Sequence, residues 1–307
     1  MRTSNPGTRG GSTEEAMSPN PFIDAELRRL RDDGFGAMAL GRFGADLWRS
    51  ARRSAAERPE LHRELAVARW AGAAVSLLVG GLSLVVGAPA VPALAVPLLW
   101  WLVLCAWVSV ELGLVRHPIS GEPSPRIGAA NLMTLYRGWA AAPVLVLGLG
   151  VSGPTPLWVV LCIAAGITDL ADGTVAVRLR QESRLGRLLD PVLDAFFFSA
   201  AAVSLAHWRL LPGWIAIVVA VRYFIPVVGG IALLFWRGRS LPVRHTPWGQ
   251  RSTLLLGLAM FATWLSSVVS VPAAILVSMY ALAMTAMLLA LVGIGRRAAA
   301  PQAVGAP

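Results

Sequence analysis

The run Thr168-Asp169-Leu170-Ala171-Asp172-Gly173-Thr174-Val175-Ala176-Val177-Arg178 is followed, after a short basic connection, by Leu185-Gly186-Arg187-Leu188-Leu189-Asp190-Pro191-Val192-Leu193-Asp194. Asp169 and Asp172 are three residues apart, and Asp190 and Asp194 are four apart. On helices both spacings put the two carboxylates of a pair on one face. The first pair closes one apolar run and the second opens the next. The short connection predicts antiparallel neighbouring helices, with all four carboxylates at one end of a bundle. Four negative charges gathered in a low dielectric repel strongly, so something positive must hold them. No His or Cys lies in the stretch. Oxygen-only donors favour hard cations such as Mg2+ or Mn2+ over zinc. Four carboxylates can flank two such ions, a clamp suited to displacement at phosphorus. Gly173 and Gly186 read either as places where a substrate nears the backbone or as points of close helix packing.

The rest of the chain says where this constellation sits. Of 307 residues, 56% are hydrophobic and 14% charged, against about a quarter charged in a soluble domain. Apolar runs cover Leu65 to Ala88, Val91 to Leu114, Gly138 to Val151, Leu157 to Ile167, Ala195 to Ala206, Trp214 to Trp236, Thr253 to Val269 and Pro272 to Ile294. A span needs about 20 mostly apolar residues. The runs from Gly138 and Ala195 reach that length only when their polar flanks are included. The expected fold is an all-α integral membrane protein, with a six-helix transmembrane core preceded by two extra transmembrane helices. Its divisions are a cytoplasmic N-terminal tail over 1–64, two accessory spans over 65–115, the core over 127–295 and a cytoplasmic tail over 296–307. The tail to about Asn20 is rich in Ser, Gly, Thr and Pro and reads as disordered. Asp24 to Glu64 reads as a surface helical segment or a solvated tail. The polar stretch Arg116 to Arg126, with its prolines, is the clearest boundary.

The charge is +10, from 27 basic and 17 acidic residues, and every basic residue is Arg. A GC-rich genome explains the missing Lys. The placement of the charge argues for a membrane and against nucleic acid. Arg178, Arg180, Arg184 and Arg187 lie in one connection, Arg237, Arg239, Arg244 and Arg251 in another, and Arg296 and Arg297 after the last run. The alternate connections are nearly uncharged, so the basic ones fall on one face, expected to be cytoplasmic. Both termini and the aspartates lie on that face of a multi-pass cell-membrane protein. Cys105 and Cys162 sit in apolar runs and read as packing residues. Glu111, near the end of the second span, is expected to reach water at the cytoplasmic edge.

These residues resemble the CDP-alcohol phosphatidyltransferases. That family's motif is Asp, two residues, Asp-Gly, two residues, Ala-Arg, eight residues, Gly, three residues, Asp, three residues, Asp. The chain matches it at Asp169, Asp172, Gly173, Ala176, Gly186, Asp190 and Asp194, with every spacing kept. Val177 stands at the family's Arg, and Gln250 at a Lys of a later loop. Asn131, Thr134 and Arg137 resemble the Asn-x-x-Thr-x-x-Arg that opens the core. The resemblance implies that Asp169, Asp172, Asp190 and Asp194 ligate two Mg2+ or Mn2+ ions, with Asp194 as general base. It implies a CDP-linked lipid, CDP-diacylglycerol, as donor and an alcohol as acceptor, with release of CMP. Gly173, Ala176 and Gly186 would line the CDP pocket, near Thr134 and Asn131. Arg137, Arg178, Arg222, Arg244 and Arg251 are candidates for a basic pocket, which points to glycerol 3-phosphate or inositol phosphate as acceptor. The resemblance also implies a homodimer. Two rivals stand beside it. Membrane prenyltransferases carry Asp motifs on widely separated helices, unlike the single hairpin expected here. A transporter with an acidic ion path would spread its carboxylates through the membrane depth.

Overall fold

The computed structural model describes residues 21–116, 124, 126–179, 181, 183–237 and 247–299. Arg244 and the side chains of Val177 and Gln250 lie outside the described residues, as does the segment before residue 21. Among the described residues the structure is helical and contains no strand. Helices α1 (Pro21–Asp32) and α2 (Ala37–Glu57) precede α3 (Pro59–Val85) and α4 (Ala90–Val110). A 3-10 turn over Glu111–Leu114 follows α4. The remainder is α5 (Ala129–Gly150), α6 (Pro156–Arg178), α7 (Arg184–His207), α8 (Gly213–Arg237), α9 (Pro247–Leu265) and α10 (Ala273–Ala299).

Six helices, α3 to α8, are long and apolar enough to cross a membrane, so the chain is a multi-pass membrane protein. Shorter apolar stretches lie in α9 and α10, over Arg251–Leu265 and Ala273–Leu289. The two runs that looked short in sequence are full helices of 22 and 24 residues, α5 and α7. Their polar flanks are helical because that is where they carry Asn131, Thr134, Arg137, Asp190 and Asp194. The first span also starts earlier than Leu65. Pro59 takes the first position of α3, where its missing N–H costs nothing and its fixed φ suits a helix start.

Helix α5 is the centre. It packs on α4, α6 and α7, and its spanning window is the most buried of the six, at 67%. Small residues permit this. A Cβ on Gly138 would come within 2.7 Å of Leu193 on α7, and one on Gly148 would strike Ser204 of the same helix. Such close approach is how helices associate where lipid removes the hydrophobic drive between them. The accessory pair α3–α4 is bonded to this core. Trp100 Nε1 donates to the Gly138 carbonyl at 2.8 Å, and Trp139 Nε1 to Ser76 Oγ at 2.9 Å. Both cysteines are free, Cys105 buried and Cys162 half-buried.

Two expectations are corrected. Glu111 does not reach water: it is 9% exposed. The 3-10 turn tucks it beneath α2 and against α7 instead of continuing α4 outward. Second, α6 and α7 are not packed neighbours. Each packs on α5 much more than on the other. The α6 seam is Trp158, Leu161 and Ala165, buried at helical spacing. The two acidic ends therefore meet through Arg137 of α5 and not by packing of α6 on α7.

Candidate active site

The four aspartates converge, and what they converge on is Arg137. Its Nη1 lies 2.7 Å from Asp169 Oδ1 and 2.9 Å from Asp172 Oδ2. Its Nη2 is 3.5 Å from Asp190 Oδ1, and its Nε is 2.7 Å from Asp194 Oδ1. The Nε contact is an ion pair without hydrogen-bond alignment. The guanidinium is 1% exposed, while the aspartates are 17% to 30% exposed. The arginine thus forms the floor of a cleft, and the carboxylates form its walls.

Helix geometry sets this up. Asn131, Thr134 and Arg137 follow one another at three-residue steps on α5, which keeps them near one face. Thr134 Oγ1 donates to Asp190 Oδ1 at 2.9 Å, fixing one wall. Asn131 holds the entry to α7: Ser183 Oγ donates to Asn131 Oδ1 at 2.9 Å and accepts from the Gly186 N–H at 3.0 Å. Ser183 is therefore an N-cap that also ties α7 to α5. The first turn of α5 is anchored in the same way. Ile127 N–H donates to Glu64 Oε2 and Ala129 N–H to Gln181 Oε1, each at 2.8 Å. Between them Gly128 has φ +87, where a side chain would be strained and would also meet Gln181.

The two motif glycines differ. A Cβ on Gly186 would come within 2.7 Å of Asn131 Oδ1, so this glycine permits close packing. A Cβ on Gly173 would meet nothing within 4 Å, so this position faces open space beside Asp172. Ala176 is half-buried one turn on, and Arg178 is exposed at the end of α6. Arg251 is exposed on α9. Arg222 forms a second cluster. It donates to Ser252 Oγ and, at 3.2 Å, to Thr253 Oγ1, and its Cζ lies 4.3 Å from the centre of the Tyr223 ring. Tyr223 stacks on Phe198 at 5.0 Å. Phe198 is one helical turn beyond Asp194 on α7, so the Arg222 cluster adjoins that helix through the Tyr223–Phe198 stack.

Arg137 therefore belongs to the aspartates, whereas the sequence had grouped it with a separate basic pocket. The available signal was an arginine one turn after Thr134, inside a span. Glu64, Gln181 and Ser183 carried no signal, because a single polar residue at a helix end has no pattern.

The donor set fits divalent cations. One guanidinium against four carboxylates leaves three negative charges in excess. Each aspartate meets Arg137 through one oxygen, leaving its second oxygen outside those contacts. All are hard oxygen donors. Among the described residues no three such side chains close into a ready cage, because the guanidinium stands between them.

A family model described as CDP-alcohol phosphatidyltransferase matches residues 128–293. Among curated relatives, a cardiolipin synthase (CMP-forming) of Streptomyces coelicolor is 39% identical over 66 residues, covering 21% of this chain and 31% of that protein. A CDP-diacylglycerol–glycerol-3-phosphate 3-phosphatidyltransferase of Bacillus subtilis is 37% identical over 75 residues, 24% of this chain and 38% of the relative. One of the same name from Cereibacter sphaeroides is 32% identical over 96 residues, 31% of this chain and 43% of the relative. The chain thus spans less than half the length of each of these relatives. No solved structure matches the chain.

Proposed function

The chain belongs to the CDP-alcohol phosphatidyltransferase family, and on that footing we propose that it transfers a phosphatidyl group from a CDP-linked lipid, CDP-diacylglycerol, to an alcohol. The convergence of Asp169, Asp172, Asp190 and Asp194 on one buried cation carries this reading.

In the proposed reaction the acceptor hydroxyl oxygen bonds to the lipid-side phosphorus. The bond from that phosphorus to the CMP oxygen breaks, and CMP leaves with the electron pair. Asp194 takes the hydroxyl proton, through the oxygen not engaged by Arg137. A carboxylate is a modest base, so holding the hydroxyl in line contributes much of the acceleration. Asp169, Asp172 and Asp190 would hold one or two Mg2+ or Mn2+ ions. The chemistry these supply when bound is neutralisation of the diphosphate and of the charge growing on CMP. Thr134 fixes the rotamer of Asp190, and Arg137 keeps the four carboxylates from spreading apart. The open face at Gly173 admits the CDP moiety. The basic connections beside the cleft support its opening on the cytoplasmic face.

A phosphorylated acceptor, glycerol 3-phosphate before inositol phosphate, is supported by Arg222, a cation within a span that has two hydroxyls beside it. Two of the relatives carry glycerol-3-phosphate in their names. The test is CMP release by the purified chain with CDP-diacylglycerol, Mg2+ and a panel of glycerol 3-phosphate, inositol phosphate, free inositol and phosphatidylglycerol. Release with glycerol 3-phosphate is expected. Silence across the whole panel with either ion would refute the activity.

A further inference from the structure

Outside the family match, α2, α3 and α4 enclose a groove of about 390 Å³ whose lining includes Trp48, Arg52, His62, Arg69, Leu102 and Ser109. We propose that it binds one anionic phospholipid. Arg52 and Arg69 hold the phosphodiester, and the acyl chains lie along the exposed apolar side of α4.

The charge is the first argument. Two other arginines of α2 are neutralised: Arg42 pairs with Asp33 at 2.7 Å and Arg49 with Asp46 at 2.9 Å. Among the described residues, neither Arg52 nor Arg69 pairs with a carboxylate. Arg52 instead lies 5.8 Å from the centre of the Trp48 ring. Arg69 lies near the Cys105 thiol, a neutral group that supplies no counter-charge. Arg69 is also deep, about 10 Å further along α3 than His62 at 1.5 Å per residue. A guanidinium at such depth needs a counter-charge or an aqueous path.

The apolar surroundings decide the source of that anion. Met38, Leu40 and Trp48 of α2 are exposed, at 87%, 50% and 58%. A helix that exposes large apolar residues beside several arginines suits the membrane interface. On α4, Leu99, Leu102 and Val103 are exposed around the level of Arg69, whose carbonyl accepts from Trp101 Nε1. A soluble phosphate would leave these surfaces uncovered, while a phospholipid meets the charge with its headgroup and the apolar wall with its chains. Basic clusters beside a span recognise anionic lipids in this way. The contact of Ile127 N–H with Glu64 puts the groove on the same membrane face as the aspartate cleft.

The experiment is native mass spectrometry of the full chain in detergent micelles, titrated with phosphatidylserine or with phosphatidylcholine of identical acyl chains. One phosphatidylserine is expected to be retained in preference to phosphatidylcholine. The double variant Arg52→Gln/Arg69→Gln should lose roughly thirtyfold in affinity, about fivefold for each lost headgroup contact. Arg42→Gln/Arg49→Gln removes the same charge from α2 away from the groove and should retain the lipid. Equal retention of phosphatidylcholine, or an equal loss in the two double variants, overturns the proposal. Displacement of the lipid by millimolar inorganic phosphate overturns the lipid as its source. Arg52→Gln alone, on the exposed side of α2, should lose about fivefold, and unchanged binding in that variant overturns the proposal even if the double variant does not fold. CMP release is not the readout, so failure here leaves the proposed activity standing.

Discussion

Replacing Arg137 by Gln removes the buried cation that lies within 3.5 Å of all four aspartates. Removing one partner of a buried ion pair costs about 3–5 kcal/mol. Here the arginine is 1% exposed but its partners are 17% to 30% exposed, so water recovers part of the loss. The lower end, about 3 kcal/mol, is the appropriate figure, and it corresponds to somewhat over a hundredfold in the folded-to-unfolded ratio. The formal charge of the cluster goes from three negative to four. A divalent cation that binds only the folded cleft stabilises it by mass action, by about 2.7 kcal/mol at a hundred times its dissociation constant. That stabilisation should be larger in Arg137→Gln than in the parent, because the added cation no longer competes with a fixed one. The assay is thermal unfolding of the full chain in micelles, with EDTA and then across a Mg2+ series. In EDTA the variant should melt well below the parent, and Mg2+ should narrow the gap. Arg137→Lys keeps the charge but not the fork that reaches several carboxylates, so it should fall between the two. Equal midpoints in EDTA, or equal responses to Mg2+, would refute the role given to Arg137.

Asp194→Asn should abolish CMP release while the protein keeps its melting behaviour to within a few degrees; near-normal release would remove Asp194 as the base. Chelation should stop turnover of the parent, with Mg2+ or Mn2+ restoring it, and unimpaired turnover after exhaustive chelation would contradict the reading of the carboxylates as metal ligands. Gly186→Ala puts a methyl 2.7 Å from Asn131 Oδ1 and should destabilise the fold by about 1–3 kcal/mol, and by less in a chain that already carries Asn131→Ala, where the clash is absent. Gly173→Ala meets nothing within 4 Å and should gain up to about 1 kcal/mol of helix stability, while raising KM for the CDP-linked lipid if that face admits it.

The parts of this fold that were legible in the sequence are those with a period. Asp169 with Asp172 and Asp190 with Asp194 announced two helix faces, and the apolar runs announced spans. The chain also kept the family spacing around them. What was not legible is contact between faces. The position of Arg137 one turn after Thr134 hinted at a shared face, but it does not by itself distinguish an arginine that floors the aspartate cleft from one that binds a phosphorylated acceptor. Both are isolated cations in an apolar setting. The same holds for Gly173 and Gly186. Each sits in the same motif with the same residue type, yet one faces open space and the other faces Asn131. Glu111 was misread because its position along the chain suggested the membrane edge. The 3-10 turn that changes its direction depends on α2 and α7, which are distant in sequence.

The misplaced expectation about α6 and α7 bears most directly on function. Under the proposed function, direct packing of the two helices would leave less room between the carboxylate pairs for a diphosphate. Backing each helix on α5 keeps the pairs apart at a distance that one guanidinium can bridge. The connection between α6 and α7 is accordingly bonded to the start of α5. Gln181 accepts from Ala129 N–H, and Ser183 donates to Asn131. Glu64 of the accessory pair holds the same turn from the other side, through Ile127 N–H. The width of the cleft is therefore set at the first turn of α5, by residues that carry no chemistry themselves. This gives Asn131 and Thr134 a reason to accompany Arg137 on one face. Asn131 places α7, Thr134 orients Asp190 of that helix, and Arg137 joins α7 to α6. The spans outside the family match contribute as well, because Glu64, Ser76 and Trp100 tie them to α5 at the edge of the site and along its length.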